Sequence, residues 1–351
     1  MKAGIICFTE HGVLLAEQLA EGMSAHGIQC EAWLKKKEYR AALPVQVELL
    51  EGTLSEWVKE QFPVKDLLIF IGSTGIAVRS IAPYVQSKKT DPAVIVLDEQ
   101  GRHAISLLSG HIGGANDLTL LVAELTGAEP VITTATDLHG KFAVDAFAAR
   151  RDLYMDSMPT AKEIAAALVD NLRVGMRSAF PVFGVIPPEL DPTGEEPLGF
   201  SIDVQKTSPF EKTLHLVPKA VVLGIGCKKG TESAPIRELV EEVLEANGIF
   251  RESICKIASI DLKKEEAGIL ELAERYQVPF ITYTAEELKQ VQCEDGFAES
   301  AFVKSVTGVG NVCERSALRA AGVQKLLIPK TARNGVTVAA AVIDLTICME
   351  D

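Results

Sequence analysis

Basic charge is scarce in this sequence of 351 residues. It contains 35 Lys and Arg residues against 48 Asp and Glu residues, which gives a formal net charge of -13. Nucleic acids and anionic membranes both bind basic surfaces, so we expect neither kind of partner. Any anionic ligand would have to be held by a local cluster of cations.

Paired cysteines and long apolar runs are missing as well. The seven cysteines are scattered and none are spaced as C-x-x-C, so neither a disulfide framework nor a zinc knuckle is predicted. The apolar runs are far shorter than the roughly 20 residues of a membrane helix, and the run at residues 3–8 is too short for a signal-peptide core. These absences indicate a protein of the reducing cytoplasm.

Common catalytic signatures are also absent. The sequence has neither the H-E-x-x-H of a zinc enzyme nor the G-x-S-x-G of a serine hydrolase. A Gly-rich turn at residues 224–230 reads G-x-G-x-x-x-G, which misses the dinucleotide fingerprint by one residue and lacks the G-K-[ST] of a P-loop. A catalytic zinc, an acyl-enzyme serine and a nucleotide site are therefore disfavoured, and an anion pocket is the preferred interpretation of this turn.

The chain does contain short apolar runs that alternate with helical patterns, which predicts an α/β fold with a parallel sheet covered on both faces. The predicted N-terminal elements are strands at 3–8, 28–34, 66–71, 93–98 and 130–132 and helices at 12–26, from 74, and at 114–126. A further apolar run at 103–108 follows the sequence DEQG at 98–101, which predicts a hairpin inside this sheet.

The pattern changes twice along the chain. Prolines accumulate and the periodicity weakens between residues 141 and 218, where we predict one helix and a few strands. A regular α/β pattern then resumes and ends with a hairpin at Asn334-Gly335. We therefore predict an N-terminal α/β domain at 1–140, a less regular central segment at 141–218 and a C-terminal α/β domain at 219–351.

Two polar turns in the N-terminal part are candidates for ligand binding. The first, Gly72-Ser73-Thr74-Gly75, joins a strand to a helix that carries Arg79, and helix N-termini of this kind favour anions; the alternative is a tight turn with Ser73 or Thr74 as N-cap. The second runs from Ser109 to Asp117 and holds Gly110, His111, Gly113, Gly114 and Asn116. An imidazole here is suited to move protons, although a single histidine is more often structural.

Further polar residues follow the strand at 130–132. Thr133, Thr134 and Asp137 are predicted to lie at the same sheet edge as His111. Asp137 could orient His111 or polarise water, and capping a following turn is the alternative. Basic side chains nearby in the sequence could grip carboxylates, or they are solvated surface charges: Arg79, Lys88, Lys89, Arg102 and Lys141.

These stretches together resemble the CbiG family, the cobalt-precorrin-5A hydrolases of anaerobic cobalamin synthesis. In the first half the resemblance is carried by GSTGIAVRSIAP at 72–83, KKTDPAVIVLDEQG at 88–101, LLSGHIGGANDLT at 107–119 and PVITTATD at 130–137. In the last third it is carried by LGIGCKKGT at 223–231, IASIDLKKEE at 257–266, TGVGNVCERSAL at 307–318 and KTARNGVTVAAA at 330–341. It covers nearly the whole chain, with little to match between about 145 and 218.

The resemblance implies a cobalt-bearing macrocycle with peripheral carboxylates as substrate, whose δ-lactone is opened by water and whose bridging carbon leaves with its methyl group as acetaldehyde. Matching this chemistry to the motifs assigns His111 as general base, Asp117 or Asp137 as its orienting group, and the turns at 72–75 and 110–114 as backbone donors. The predicted substrate-binding residues also include Arg79, Lys89, Asn116, Thr133, Thr134 and Lys141.

The C-terminal domain is expected to form the far wall of an interdomain cleft. The residues predicted there are Gly226, Lys228, Thr307 and Asn311. No added cofactor is expected, because the substrate carries the cobalt. Other enzymes of the pathway are expected as transient partners. Two rival interpretations remain open: a non-catalytic corrinoid carrier, and a nucleotide or sugar-phosphate enzyme that uses the two Gly-rich turns.

Overall fold

The structure is a computed structural model of the chain. It describes residues 1–37, 42–44, 46–87, 90–110, 113–134 and 141–350. The chain divides into two compact units, Met1–Ala149 and Arg150–Asp351. The predicted three-part division at 1–140, 141–218 and 219–351 stays a prediction.

A seven-stranded sheet forms the centre of the first unit. Its strands are β1 (Lys2–Cys7), β2 (Gln29–Leu34), β3 (Val47–Leu49), β4 (Leu67–Ile71), β5 (Ala93–Leu97), β6 (His103–Leu108) and β7 (Glu129–Val131). The helices are α1 (Glu10–Ala25), α2 (Leu54–Gln61), α3 (Thr74–Ile81) and α4 (Ala115–Thr126), and α5 (Val144–Arg150) ends at the boundary of the unit. The α/β class predicted from the alternating pattern is confirmed.

The direction of the strands changes once within this sheet. The strand order is β3-β2-β1-β4-β5-β6-β7, with β1 to β5 parallel. Strand β6 pairs antiparallel with β5, and β7 pairs parallel with β6. The predicted hairpin is therefore confirmed, and the Asp98 carboxylate stabilises it by accepting hydrogen bonds from the amides of Gln100 and His103 at 2.8 and 2.6 Å.

Both faces of the sheet are buried, as the unbroken apolar sequences of β4 and β5 require. Alternate residues of β4 belong to different cores. Leu67, Ile69 and Ile71 share a cluster with residues of α1 and α4, whereas Leu68 and Phe70 share one with residues of α2 and α3. These two layers fix the positions of the strand ends, where the candidate site residues lie.

The second unit contains a small sheet that the sequence did not predict. It is formed by β8 (Tyr154–Met155), β9 (Val174–Ser178), β11 (Leu190–Asp191), β12 (Leu198–Ile202) and β13 (Lys212–Val217), in the order β11-β9-β12-β13-β8. Helix α6 (Met158–Val169) lies between β8 and β9 in the chain, and β10 (Val182–Phe183) pairs with β19 (Ile347–Cys348). The central segment is thus more regular than expected, because strands of two residues carry no periodicity that a sequence pattern can detect.

The C-terminal sheet has the regular α/β pattern and the final hairpin that were predicted for residues 219–351. Its strands are β14 (Val221–Cys227), β15 (Ile254–Ile260), β16 (Phe280–Tyr283), β17 (Ile328–Arg333) and β18 (Val336–Val342), in the order β16-β15-β14-β18-β17. The helices are α7 (Ser233–Ala246), α8 (Ala267–Tyr276), α9 (Ala285–Lys289), α10 (Ala301–Thr307) and α11 (Cys313–Ala321). Asn334 and Gly335 both have positive φ, at 53° and 84°, which is the conformation of the predicted two-residue hairpin turn.

Within the described ranges, every helix is too short or too polar to cross a membrane.

Candidate functional site

Among the residues that the structure describes, the two polar turns predicted as sites in the first unit lie at opposite edges of its sheet. Gly72 follows β4 at the edge where the parallel strands end, and its amide donates a 2.8 Å hydrogen bond to the Leu97 carbonyl. Ser109 follows β6 at the other edge, and its hydroxyl donates a 3.1 Å hydrogen bond to the carbonyl of Asp91, which precedes β5. The reversal between β5 and β6 causes this separation.

The turns at 72–75 and 110–114, both predicted as backbone donors, are too far apart to donate to one oxyanion. Leu67 and Ile71, at the two ends of β4, are four residue steps apart, and a strand rises about 3.3 Å per residue. The turns are therefore at least about 13 Å apart, whereas the donors of an oxyanion hole lie about 3 Å from one oxygen. At most one of these turns can stabilise the reacting group.

At the first edge, the N-terminus of α3 meets an arginine. Strand β4 lies beside β1, whereas β2 and β3 extend to the other side, so Gly72 is at a topological switch point, where α/β proteins bind ligands. Ser73 is the N-cap residue but its side chain makes no capping hydrogen bond. A Cβ on Gly75 would lie 3.3 Å from Arg79 Nη1, so the guanidinium folds back over the first turn. A cation beside the positive end of a helix dipole is unfavourable unless an anion joins them.

At the second edge, a buried asparagine links three segments. Asn116 is 4% exposed in the first turn of α4. Its Oδ1 accepts a 2.7 Å hydrogen bond from the Ser106 hydroxyl on β6, and its Nδ2 donates a 2.8 Å hydrogen bond to Thr134 Oγ1, beyond β7. Asn116 therefore connects β6, α4 and the segment after β7, and these contacts point to a structural role in place of the predicted direct contact with substrate.

The glycines of the turn between β6 and α4 allow it to fold tightly. A Cβ on Gly113 would lie 2.4 Å from Ser109 Cβ, and one on Gly110 would lie 2.7 Å from Asn116 Oδ1. Gly114 has a φ of 76°, in the left-handed region that favours glycine. The amides of Ala115 and Asn116 donate to the carbonyls of Ser109 and Gly110 at 3.1 and 2.9 Å, so these two amides are already used by the fold.

Three of the predicted residues lie outside the described residues: His111, Lys89 and Asp137. The described residues that flank them in sequence meet at the second edge through the contacts of Ser109 with Asp91 and of Asn116 with Thr134. Asp91 Oδ2 in turn accepts hydrogen bonds from the amides of Gln86 and Ser87 at 2.8 and 2.9 Å. Three of the motif strings therefore converge on one sheet edge.

The remaining predicted residues of this unit have ordinary positions. Asp117 is exposed in the first turn of α4, where a carboxylate is favoured by the helix dipole. Thr133 is exposed just after β7, and Lys141 is half-buried just ahead of α5. Sequence reasoning missed Ser106 and Asp91, although both lie in or beside the motif strings. The alternation of side-chain directions along β6 does not by itself indicate that Ser106 faces Asn116.

In the second unit, the Gly-rich turn is explained by packing. A Cβ on Gly224 would lie 1.8 Å from the carbonyl oxygen of Cys313, at the start of α11. Gly226 would place a Cβ 2.6 Å from Thr337 Oγ1, and the Lys228 amide donates a 3.1 Å hydrogen bond to the Gly335 carbonyl. The two glycines therefore allow α11 and β18 to approach β14, which accounts for the incomplete dinucleotide fingerprint. Lys228 itself is exposed.

Asn311 is buried, at 1% exposure, and belongs to the fold. Its Nδ2 donates a 2.5 Å hydrogen bond to the buried Glu314 carboxylate, and its Oδ1 accepts a 3.0 Å hydrogen bond from the Glu314 amide. The Thr307 hydroxyl donates to the carbonyls of Val303 and Val309 at the end of α10. Both side chains stabilise the loop between α10 and α11, so their contacts do not favour the predicted substrate binding.

A charged cluster that the sequence did not single out lies beside the same Gly-rich turn. Glu266 is 9% exposed and accepts hydrogen bonds from Lys263 Nζ and the Gly230 amide at 2.7 and 2.6 Å. Burial alone would raise the pKa of Glu266, but these hydrogen bonds outweigh it and the pKa lies below its usual value. The K-x-x-E spacing of Lys263 and Glu266 within IASIDLKKEE is the feature of the sequence that indicates this ion pair.

The fold and these sites define an α/β protein with polar clusters at the ends of its strands, the arrangement that such folds use for small ligands. The "Cobalamin synthesis G N-terminal" family model matches residues 56–137, and the "Cobalamin synthesis G C-terminus" model matches residues 221–341. This chain belongs to the cobalamin synthesis G family.

Named relatives cover nearly the whole chain. A protein of Salmonella typhimurium strain LT2 called cobalt-precorrin-5A hydrolase is 38% identical and covers 88% of both chains. A protein of the same name from Priestia megaterium is 30% identical and covers 97% of this chain and 94% of its own. A solved structure, described as a putative cobalamin biosynthesis protein G homolog from Sulfolobus solfataricus, is 23% identical over 97% of both chains with a TM-score of 0.42.

Proposed function

We propose that this protein is a hydrolase that opens the ring A δ-lactone of cobalt-precorrin-5A and releases acetaldehyde, giving cobalt-precorrin-5B in anaerobic cobalamin synthesis. The names of the two long relatives support this substrate, and a family model matches part of each half of the chain. The observation that carries the proposed site is the convergence of three motif segments at the second sheet edge, through Asp91, Ser109 and Asn116.

The reaction requires a base and an oxyanion donor at one place. Water adds to the lactone carbonyl, and the ester C–O bond breaks to leave a carboxylate and a hydroxyl on the bridging carbon. Removal of that hydroxyl proton lets the carbon–carbon bond break, so that acetaldehyde leaves and the electron pair passes to the macrocycle. The macrocycle and its cobalt supply this electron sink, so we propose no further cofactor.

His111 is the proposed base for both proton transfers, with Asp117 or Asp137 as its orienting group. The structure narrows the choice of oxyanion donors. The amides of Ala115 and Asn116 are already hydrogen bonded within the turn, so we assign the donation to the amides of Gly113 and Gly114. The turn at 72–75 has no part in this step, because it lies at the opposite edge.

Peripheral carboxylates of the substrate need cations. Lys89 and Lys141 are the proposed contacts near the second edge, and Arg79 with the N-terminus of α3 is a separate carboxylate contact at the first edge. We expect the enzyme to act in the cytoplasm, because unpaired cysteines are stable in a reducing compartment, and to meet other enzymes of the pathway transiently.

The test is an anaerobic incubation of the purified full chain with cobalt-precorrin-5A, with trapping of acetaldehyde and mass analysis of the macrocycle. We expect one acetaldehyde per macrocycle from the wild type and none from His111→Ala. The matched control is His103→Ala at the start of β6, because His103 is exposed and lies at the other edge of the sheet. Substrate binding without acetaldehyde would instead establish a carrier, and an active His111→Ala variant would remove His111 from the mechanism.

A further inference from the structure

A cavity of about 650 Å³ lies in the second unit, and none of its lining residues belongs to the proposed reaction site. Its wall includes Lys219 just before β14, Ile254 at the start of β15, and Tyr276 at the end of α8. It therefore opens at the edge where β14 and β15 begin, whereas Lys228 lies at the edge where β14 ends. Its volume is in the range of cavities that bind small organic ligands.

Cations are concentrated in this wall, although the chain as a whole is strongly acidic. Lys219 pairs with Asp152 at 3.1 Å and Arg251 pairs with Glu252 at 3.3 Å. Both cations are about 59% exposed in their side chains, so these ion pairs are solvated and weak enough for a ligand carboxylate to compete with them. Arg275 adds a third positive charge and has no ion pair with any residue in the described part of the chain.

Apart from the polar Gln277, the rest of the wall is apolar or aromatic. Leu153 and Ile254 are buried and Val278 is half-buried, and they supply a surface for the body of a ligand. Tyr154 is 43% exposed and offers an aromatic ring. A charged rim around an apolar floor is suited to a molecule with the same division between an apolar body and anionic substituents.

We propose that this cavity is a second binding site, separate from the proposed reaction site, for a small organic anion with an aromatic body and more than one carboxylate. Arg275 and Arg251 bind the carboxylates, and Leu153, Ile254 and Tyr154 contact the body. The competing explanation is that Arg275 serves the helix alone, since a cation at the C-terminus of α8 is favoured by the dipole.

The test is calorimetric titration of the full chain with benzene-1,3,5-tricarboxylate and, separately, with inorganic phosphate. We expect the tricarboxylate to bind more tightly than phosphate and to raise the melting temperature of the wild type. Arg275→Gln should weaken the binding of the tricarboxylate by about tenfold. Arg237→Gln is the matched control, because Arg237 pairs with Glu241 at 4.0 Å and is outside the cavity wall.

Four outcomes would overturn the proposal: no binding of the tricarboxylate, equal binding by Arg275→Gln and wild type, equal weakening by Arg237→Gln, or phosphate binding as tightly as the tricarboxylate. An unliganded melting temperature of Arg275→Gln close to that of the wild type shows that a loss of binding is not a loss of fold. A lower one together with unchanged binding would establish the helix-dipole role. Acetaldehyde release is expected to be unaffected in Arg275→Gln, so this test is independent of the proposed function.

Discussion

The side chain of Asn116 reaches across from α4 to the segment after β7, where its Nδ2 donates a 2.8 Å hydrogen bond to Thr134 Oγ1. Its Oδ1 is held in turn by Ser106 on β6 at 2.7 Å. One buried amide thus joins the segments that precede and follow the proposed catalytic turn. Because the group is 4% exposed, water cannot replace these contacts when they are lost.

Asn116→Ala should therefore impair both stability and catalysis. Loss of two side-chain hydrogen bonds in a buried position should lower the free energy of unfolding by ~2–3 kcal/mol. The turn that bears His111 would lose its alignment, so we expect kcat to fall by at least about tenfold while KM changes little. Denaturant unfolding and steady-state kinetics measure the two effects. Asn247→Ala is the control, because Asn247 makes one local hydrogen bond to the Val243 carbonyl; an equal loss of kcat there would contradict the role of Asn116.

The glycines of the turn at 224–230 give a test of packing against ligand binding. Gly224→Ala would place a methyl group 1.8 Å from the Cys313 carbonyl oxygen, and backbone of α11 cannot rotate away. We expect a loss of at least about 3 kcal/mol in the free energy of unfolding. Gly230→Ala meets nothing within 4 Å and has a φ of 74°, so it should cost only ~1–2 kcal/mol of backbone strain. Equal effects of the two variants would remove the packing explanation.

The elements of this fold follow from the sequence wherever the strands are long and apolar. β4 and β14 were predictable because each is a continuous apolar run, and both hairpins were predictable from their turn residues. The first hairpin also determines where the second polar turn lies: a strand that returns antiparallel carries its carboxyl end, with Ser109 and Gly110, to the opposite edge from Gly72. The hairpin residues themselves contain that information.

Other features cannot be predicted from the sequence in this way. The strands β8 and β11 at the edges of the small sheet contain only two residues each, and the pairing of such short strands is set by tertiary contacts. The partners of Asn116 come from β6 and from beyond β7, so no local spacing indicates them. Gly224 shows the reverse case, since its motif suggested a ligand although the reason for the glycine is a helix that lies far away in sequence.

Glu266 gives a pH-dependent prediction. Its folded pKa lies below the ordinary value of 4.5, so the stability that it contributes is present above that value and is lost as the pH falls through the lower folded pKa. Glu266→Gln should be less stable than the wild type by ~2 kcal/mol at neutral pH, and the difference should shrink below pH 4.5. Denaturant titrations across the acid range measure it. Glu265→Gln is the matched control, because Glu265 is 88% exposed; a difference that persists in acid would contradict this account.

The separation of the two sheet edges predicts different kinetic effects for their residues. Arg79 lies over the N-terminus of α3, at least about 13 Å along the strands from the proposed reaction edge, so it can hold a substrate carboxylate but cannot touch the reacting carbon. Such binding is equal in the ground and transition states and affects KM alone. We expect Arg79→Gln to raise KM by about tenfold with kcat nearly unchanged, whereas His111→Ala should abolish kcat.

Arg102→Gln provides the comparison for Arg79. Arg102 is an exposed cation that precedes β6 at the same edge, but it does not lie at a helix N-terminus that could complete an anion contact. The KM of Arg102→Gln should therefore stay close to that of the wild type. A fall in kcat for Arg79→Gln at constant KM would mean that the turn at 72–75 takes part in the chemical step. The reaction would then have to be assigned to the edge where β1 and β4 end, and His111 would lose its proposed role to groups beside Gly72.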